Sequence, residues 1–390
     1  MTPTHLYLHA PFCVRRCAYC DFAVTVERAP DAGPWLEAVE AELAVTVARE
    51  GWDRLRLTTI YVGGGTPSLF GTGVMAGLAG RLGRYADVVP GAEWTAEANP
   101  EHFDQRLAED WRAAGINRLS LGAQTFNAGA LRWMGRMHGP DGPGRAVAAA
   151  RSAGFDNLSI DLIFGLPARL GRDWTADLDR VLEMAPEHVS LYGLTAESAT
   201  PLGRWVAEGR EKLADEDTYE AEYLEAAATL TQAGYDHYEV SNFARPGRTS
   251  RHNTAYWSGV PWLGLGSGAH SFLPPRRYWN VRDWVRYRDA IVTGGNPIED
   301  GEVVDAHAAA LERSWLGLRT SAGLIARTDH EIGLARHWQD HGWASFDAGR
   351  VRLTARGWLV LDRLAVEFAG RSRATGRAGT GEASQPTQVS

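Results

Sequence analysis

Apolar residues in the first half of the chain keep two rhythms in turn. Short runs at 5–9, 57–62, 93–98, 117–121, 157–163 and 188–191 have strand character, the first alternating as His-Leu-Tyr-Leu-His. Between them apolar positions recur at helical spacing over 34–49, 72–85, 104–114 and 173–184, with further helical material to about 153. Pro34 suits the first turn of the earliest helix. Strands alternating with helices in this way predict a parallel sheet with right-handed crossovers, an α/β fold.

Beyond residue 200 the rhythm changes. An amphipathic helix over 215–233 is capped near Asp215 and stopped at Gly234, and another helix covers 305–318. Residues 321–368 read as helix, helix, two short strands around Asp347-Ala348-Gly349-Arg350, and a closing helix, an order like that of a small winged-helix module. The last stretch is polar and glycine-rich and is expected to be a disordered tail. The expected division is therefore 1–205, a connecting region 206–300, a C-terminal module 301–368 and a tail 369–390.

Composition narrows the function classes. A hydrophobic content of 44% and 15 tryptophans suit a packed core, and a net charge of −8 argues against nucleic acid as the main partner. No apolar run approaches the ~20 residues of a membrane span. The N-terminus reads as a strand and not as an export signal, which with free thiols implies a reducing cytoplasm.

The chemistry starts at Cys13, Cys17 and Cys20, the only cysteines, which share eight residues at C-x3-C-x2-C spacing. Three thiolates can hold three irons of a cubane iron–sulfur cluster and leave the fourth open to a small molecule. A Cys17–Cys20 disulfide lacks both an export signal and a thioredoxin-like context. A zinc site with His9 or His5 lacks a second ligand pair.

Other polar signals fall at the C-terminal ends of the strands, the edge where such sheets bind ligands. Gly63-Gly64-Gly65-Thr66-Pro67 lets backbone approach a ligand closely and is no P-loop, although a plain tight turn has the same composition. The cysteine loop, this glycine loop, Glu97, Gln124 and Asp161 are expected to converge on one cavity; the alternative for Glu97 and Asp161 is a solvated loop carboxylate. Residues 235–271 are dense in His, Tyr, Trp and Gly, which suits a flat aromatic ligand with a metal centre, but composition alone favours an ordinary packed lid.

The cysteine spacing, the Gly-Gly-Gly-Thr-Pro loop and the strand order resemble the radical S-adenosylmethionine (radical SAM) superfamily over roughly residues 1–368. The chain is most similar to the HemW-type heme chaperones, relatives of oxygen-independent coproporphyrinogen III oxidase. The most specific match is Tyr238-Glu239-Val240-Ser241-Asn242-Phe243-Ala244 followed by His252-Asn253-Thr254-Ala255-Tyr256-Trp257. Its H-N-x-x-Y motif marks the HemW branch, where it is associated with heme binding.

The resemblance implies a partial (β/α)6 barrel with a C-terminal α+β extension. It implies a [4Fe–4S] cluster on Cys13, Cys17 and Cys20, whose open iron takes the amino and carboxylate groups of S-adenosylmethionine. Tyr7, Tyr19, Gly64, Gly65, Thr66, Glu97, Gln124, Arg136 and Asp161 match the S-adenosylmethionine pocket by position, with a surface helix arginine as the alternative for Arg136. His252, Asn253, Tyr256 and Trp257 would meet heme. Phe22 stands where the oxidases carry a further cysteine, and the oxidases' N-terminal extension is missing, so the resemblance favours a heme chaperone that delivers heme to acceptor proteins. Oxidative decarboxylation of coproporphyrinogen III is the alternative, and a radical enzyme on another substrate is the third. Dimerisation through 321–368 and transient membrane association are left open.

Overall fold

The computed structural model describes residues 2–370; beyond Gly370, the tail expected from 369 lies outside the described residues. The chain divides into two compact units, one reaching to Asp305 and the other starting at Ala306. Among the described residues no helix is long and apolar enough to cross a membrane.

The six expected strands are present in the first unit: β1 (His5–Ala10), β2 (Leu55–Gly64), β3 (Ala86–Ala98), β4 (Arg118–Gln124), β5 (Leu158–Phe164) and β6 (His188–Gly193). They lie side by side in that order, every pair parallel. Helices fill the crossovers: α1 (Ala32–Glu50) after β1, α2 (Val74–Leu82) after β2, α3 (Gln105–Ala114) after β3 and, further on, Trp174–Met184 after β5. Asp31, Asp104 and Asp173 cap three of them by accepting from free amide N–H groups of the first turn.

Strand alternation sorts the side chains. Leu6, Leu8, Ile60, Val62, Leu119, Leu121, Ile160 and Leu162 are fully buried, as are Trp35, Leu43 and Trp111 on the helices. Each such side chain contributes about 1.5–3 kcal/mol by leaving water. The intervening positions form polar rows across the other face, fixed by register. His5, Thr59 and Glu93 are cross-strand neighbours near the N-terminal end, and Tyr7, Tyr61 and Thr95 form the next row. Toward the C-terminal end Glu97 faces Ser120, and Gly122 faces Asp161.

The sheet is larger than the alternation implied. Trp262–Leu265 pairs parallel with β1 on its free side, and His270–Leu273, Arg276–Asn280 and Ile298–Val303 continue antiparallel. Asn242–Ala244 and Asp236–Glu239 extend the edge at β6. The His/Tyr/Trp/Gly-rich tract, expected as a packed lid, thus contributes strands on both sides of the six, with the helix Arg251–Trp257 between them. One buried carboxylate ties this extension to α1: Glu42 accepts from Gly266 N (2.8 Å), Asn280 Nδ2 (2.6 Å) and Tyr287 Oη (2.5 Å).

The second unit holds the helix Ala306–Leu318, a three-stranded antiparallel sheet with Arg350–Leu353 at its centre, and the helices Asp329–Asp340 and Leu361–Ala369. One helix, not two, separates residue 321 from the hairpin. Leu324–Ile325 is a strand, and a capping box between Thr328 and Glu331 starts the helix only afterwards.

Candidate functional site

The cysteine loop leaves the C-terminal end of β1. Phe12–Cys13 makes a short parallel pairing with Thr25–Val26, which folds the loop back on itself. The glycine loop after β2 docks against its start: Gly65 N donates to Ala10 O (2.7 Å) and Thr66 N to Phe12 O (2.8 Å). The fit requires glycine. A Cβ on Gly65 would stand 2.6 Å from Ala10 O and 2.7 Å from Phe12 O, both backbone atoms. Gly64 has φ +104°, and a Cβ there would strike the His9 ring.

Cys13, Cys17 and Cys20 are each half-buried. Among the described residues they are not gathered into a ready metal cage. The Thr66 hydroxyl lies 3.4 Å from Cys13 Sγ. Burial pushes the Cys13 thiol up to about 11 and Cys20 up to about 12, so neutral thiols persist until an electron-pair acceptor displaces the protons.

From Thr66 a chain of polar contacts runs along the strand ends. Asn99 Nδ2 donates to Thr66 Oγ1 (3.1 Å), while Asn99 Oδ1 accepts from Arg136 Nη2 (2.7 Å), which also reaches Gly122 O (2.6 Å). Glu97 accepts from Tyr61 Oη at 2.7 Å and from Gly64 N at 2.9 Å. Burial raises its pKa to about 7; those two bonds oppose the rise, and Asp161 adds to it. Asp161 accepts from Ser120 Oγ (3.0 Å) and Ser159 Oγ (3.1 Å), and burial raises its pKa too. Gln124 has φ +65°, and its buried Oε1 has no hydrogen-bond partner. A glycine cradle, half-exposed thiols and an unpaired amide oxygen at one strand edge fit a ligand with iron-binding and hydrogen-bonding groups.

The structure therefore brings Cys13, Gly64, Gly65, Thr66, Glu97 and Arg136 into one contact chain, with Gln124 and Asp161 on the adjoining strands. Tyr7 lies deeper: it is buried, stacks on Tyr61 at 6.0 Å between ring centroids, and its hydroxyl meets His9 Nδ1 at 3.0 Å. Tyr19, inside the cysteine loop, packs against a buried cluster containing Met134 and Leu202. Sequence reasoning missed Asn99 and Tyr61. Asn99 follows Glu97 by two residues at the same strand end, a signal that was available.

The H-N-x-x-Y motif lies elsewhere. Its helix, Arg251–Trp257, is held at the N-terminal side of the strands, where Glu93 accepts from Arg251 N and His252 N, both at 2.9 Å. His252 is fully buried; Nδ1 meets Thr59 Oγ1 at 2.7 Å and Nε2 meets Tyr256 Oη at 2.9 Å. Burial pushes its pKa down to about 3. Asn253 and Tyr256 are buried as well, and Trp257 is half-buried. Both ring nitrogens of His252 are thus engaged, so it would reach a heme iron only by giving up one of these two contacts.

Comparison with known proteins follows the same lines. The Radical SAM superfamily profile matches residues 7–181. The heme chaperone HemW of Mycobacterium tuberculosis is 36% identical over 94% of this chain and 95% of its own length. HemW of Synechocystis is 35% identical over 83% of this chain and 80% of its own. Among solved structures, the radical SAM enzyme coproporphyrinogen III oxidase (HemN) from Escherichia coli superposes with a TM-score of 0.77 over 95% of this chain and 90% of that one, at 23% identity, a likeness of fold.

Proposed function

Because the chain belongs to the radical SAM superfamily and, within it, to the HemW-type family, we propose that it is a cytoplasmic heme chaperone that binds heme and passes it to acceptor proteins. The observation that carries this reading is the match along nearly the whole of both chains to relatives described as heme chaperones.

Cys13, Cys17 and Cys20 would hold a [4Fe–4S] cluster, and S-adenosylmethionine would occupy the adjoining strand ends. Bound there, the cluster supplies an open iron and an electron source. The chain's own residues supply the rest. Thr66 donates its hydroxyl toward the Cys13 sulfur, Glu97 accepts from an amino group, Arg136 meets a carboxylate, and Asp161 accepts from a ribose hydroxyl. Gln124 has an acceptor oxygen to spare.

Anaerobic reconstitution with iron and sulfide, followed by hemin titration and assay for porphyrin products, tests the reading. Saturable hemin binding by cluster-loaded protein, with transfer to an apo-hemoprotein and no conversion of coproporphyrinogen III, is expected. Conversion to protoporphyrinogen without saturable hemin binding would place the protein with the oxidases.

A further inference from the structure

The side chains that ligate heme iron are His, Cys, Met and Tyr. The three cysteines are accounted for by the cluster, and among the described residues no tyrosine is exposed. Met137 is the one exposed methionine described, beside Arg136 in the cofactor region. Of the 12 histidines, the eight in the first unit are buried or half-buried. The four exposed ones, His307, His330, His337 and His341, all belong to the second unit.

Two of these form a pair. His337 and His341 stand one helical turn apart at the end of the helix Asp329–Asp340, with ring centroids 4.2 Å apart. His341 Nδ1 lies 2.8 Å from His337 O. A carbonyl only accepts, so Nδ1 carries the proton, and Nε2 of the neutral ring keeps its lone pair. A backbone acceptor of this kind is how metal-binding histidines are usually oriented. Behind the pair, Trp343 stacks on the His341 ring (5.1 Å, 29°) and meets His337 edge-on at 6.3 Å. The Arg363 guanidinium lies 4.7 Å from the center of the Trp343 ring. The imidazole with a fixed lone pair can take an iron, Trp343 holds that imidazole in place, and the Arg363 cation, shared with Glu367 at 3.7 Å, stands beside them as a partner for an anionic propionate.

We propose that His337 and His341, backed by Trp343, form the heme-binding site, with iron taken by an imidazole Nε2; this rests on the chaperone reading above and specifies its site. The step is a ligand exchange: the imidazole lone pair forms the Fe–N bond as water or chloride leaves ferric heme, with no change of oxidation state.

The test titrates hemin into full-length, cluster-loaded protein, read by Soret absorbance and by electron paramagnetic resonance of the ferric complex. Wild type is expected to give a nitrogen-ligated heme. The double variant H337A/H341A is expected to lose that signature and bind hemin about tenfold or more weakly, whereas H307A/H330A keeps both. Wild-type affinity and spectrum in H337A/H341A would overturn the site and leave the chaperone reading standing. Absence of saturable binding in wild type would overturn both. The wild-type spectrum decides independently of how any variant folds, since heme without a nitrogen ligand also overturns the proposal.

Discussion

Thr59 and His252, 193 residues apart in sequence, are joined by a 2.7 Å hydrogen bond between Oγ1 and Nδ1. The same hydroxyl meets His5 Nδ1 at 2.8 Å, and the His252 ring lies 5.2 Å from that of Tyr61, which in turn donates to Glu97. The H-N-x-x-Y helix is thereby fastened beneath the strand ends that carry the cofactor residues. Replacing His252 by Ala would leave the Thr59 and Tyr256 hydroxyls short of a partner and open a cavity, a loss of about 1–3 kcal/mol. Thermal unfolding should show a clearly lower midpoint, with hemin affinity retained by the folded fraction. An unchanged midpoint would mean that the bond does not hold the helix.

Glu97 joins the glycine loop to the interior of the sheet through Gly64 and Tyr61. Glu97→Gln removes the charge and turns one of the two acceptor oxygens, each of which takes one donor, into a donor. S-adenosylmethionine affinity, measured by calorimetry on cluster-loaded protein, should fall about tenfold or more, the scale of one hydrogen bond to a charged group. Iron content should stay at the wild-type level, because Glu97 touches no cysteine among the contacts described. Tyr61→Phe removes one donor and leaves the acceptor, so a smaller loss is expected.

The pH dependence of the same binding follows from the Glu97 pKa, raised from 4.5 to about 7. The ionised carboxylate is the stronger acceptor for the ligand's amino group. Below about 7 binding is linked to release of a proton, so affinity should rise as pH increases toward 7 and level off above it. In Glu97→Gln this slope should flatten. Equal affinity at pH 5.5 and pH 8 in wild type would contradict the assignment.

Two glycines separate the site from the scaffold. In Gly65→Ala the new Cβ meets two backbone oxygens at 2.6 and 2.7 Å, which cannot move aside without parting the glycine and cysteine loops. Reconstituted iron per chain and thermal stability should both drop. Gly80, inside α2, has open space around its Cβ position, so Gly80→Ala should raise stability by about 0.5–1 kcal/mol with iron content unchanged.

The barrel strands were legible because their outward faces are apolar and their ends carry Gly, Glu or Asp; β4 and β5 start and end within three residues of the expected bounds. Glu97 and the glycine loop were visible as strand-end signals. The burial of His252 was not, since composition reports which residues are aromatic or ionisable and not which way a seven-residue helix turns them. Its partners Thr59 and Glu93 belong to strands far back in the chain. Trp262–Leu265 escaped notice because Gly264 interrupts a short apolar run, and its pairing with β1 spans more than 250 residues. The His337–His341 pair is an ordinary i,i+4 spacing in sequence, and only its exposure, the His341 Nδ1 bond to His337 O and the packing on Trp343 set it apart.

Mössbauer spectroscopy of anaerobically reconstituted protein, with and without S-adenosylmethionine, bears most directly on the chemistry assigned to Cys13, Cys17 and Cys20. One iron of a [4Fe–4S] cluster should differ from the other three and change its parameters when S-adenosylmethionine is added. A cluster indifferent to S-adenosylmethionine, or no cubane cluster at all, would contradict that assignment.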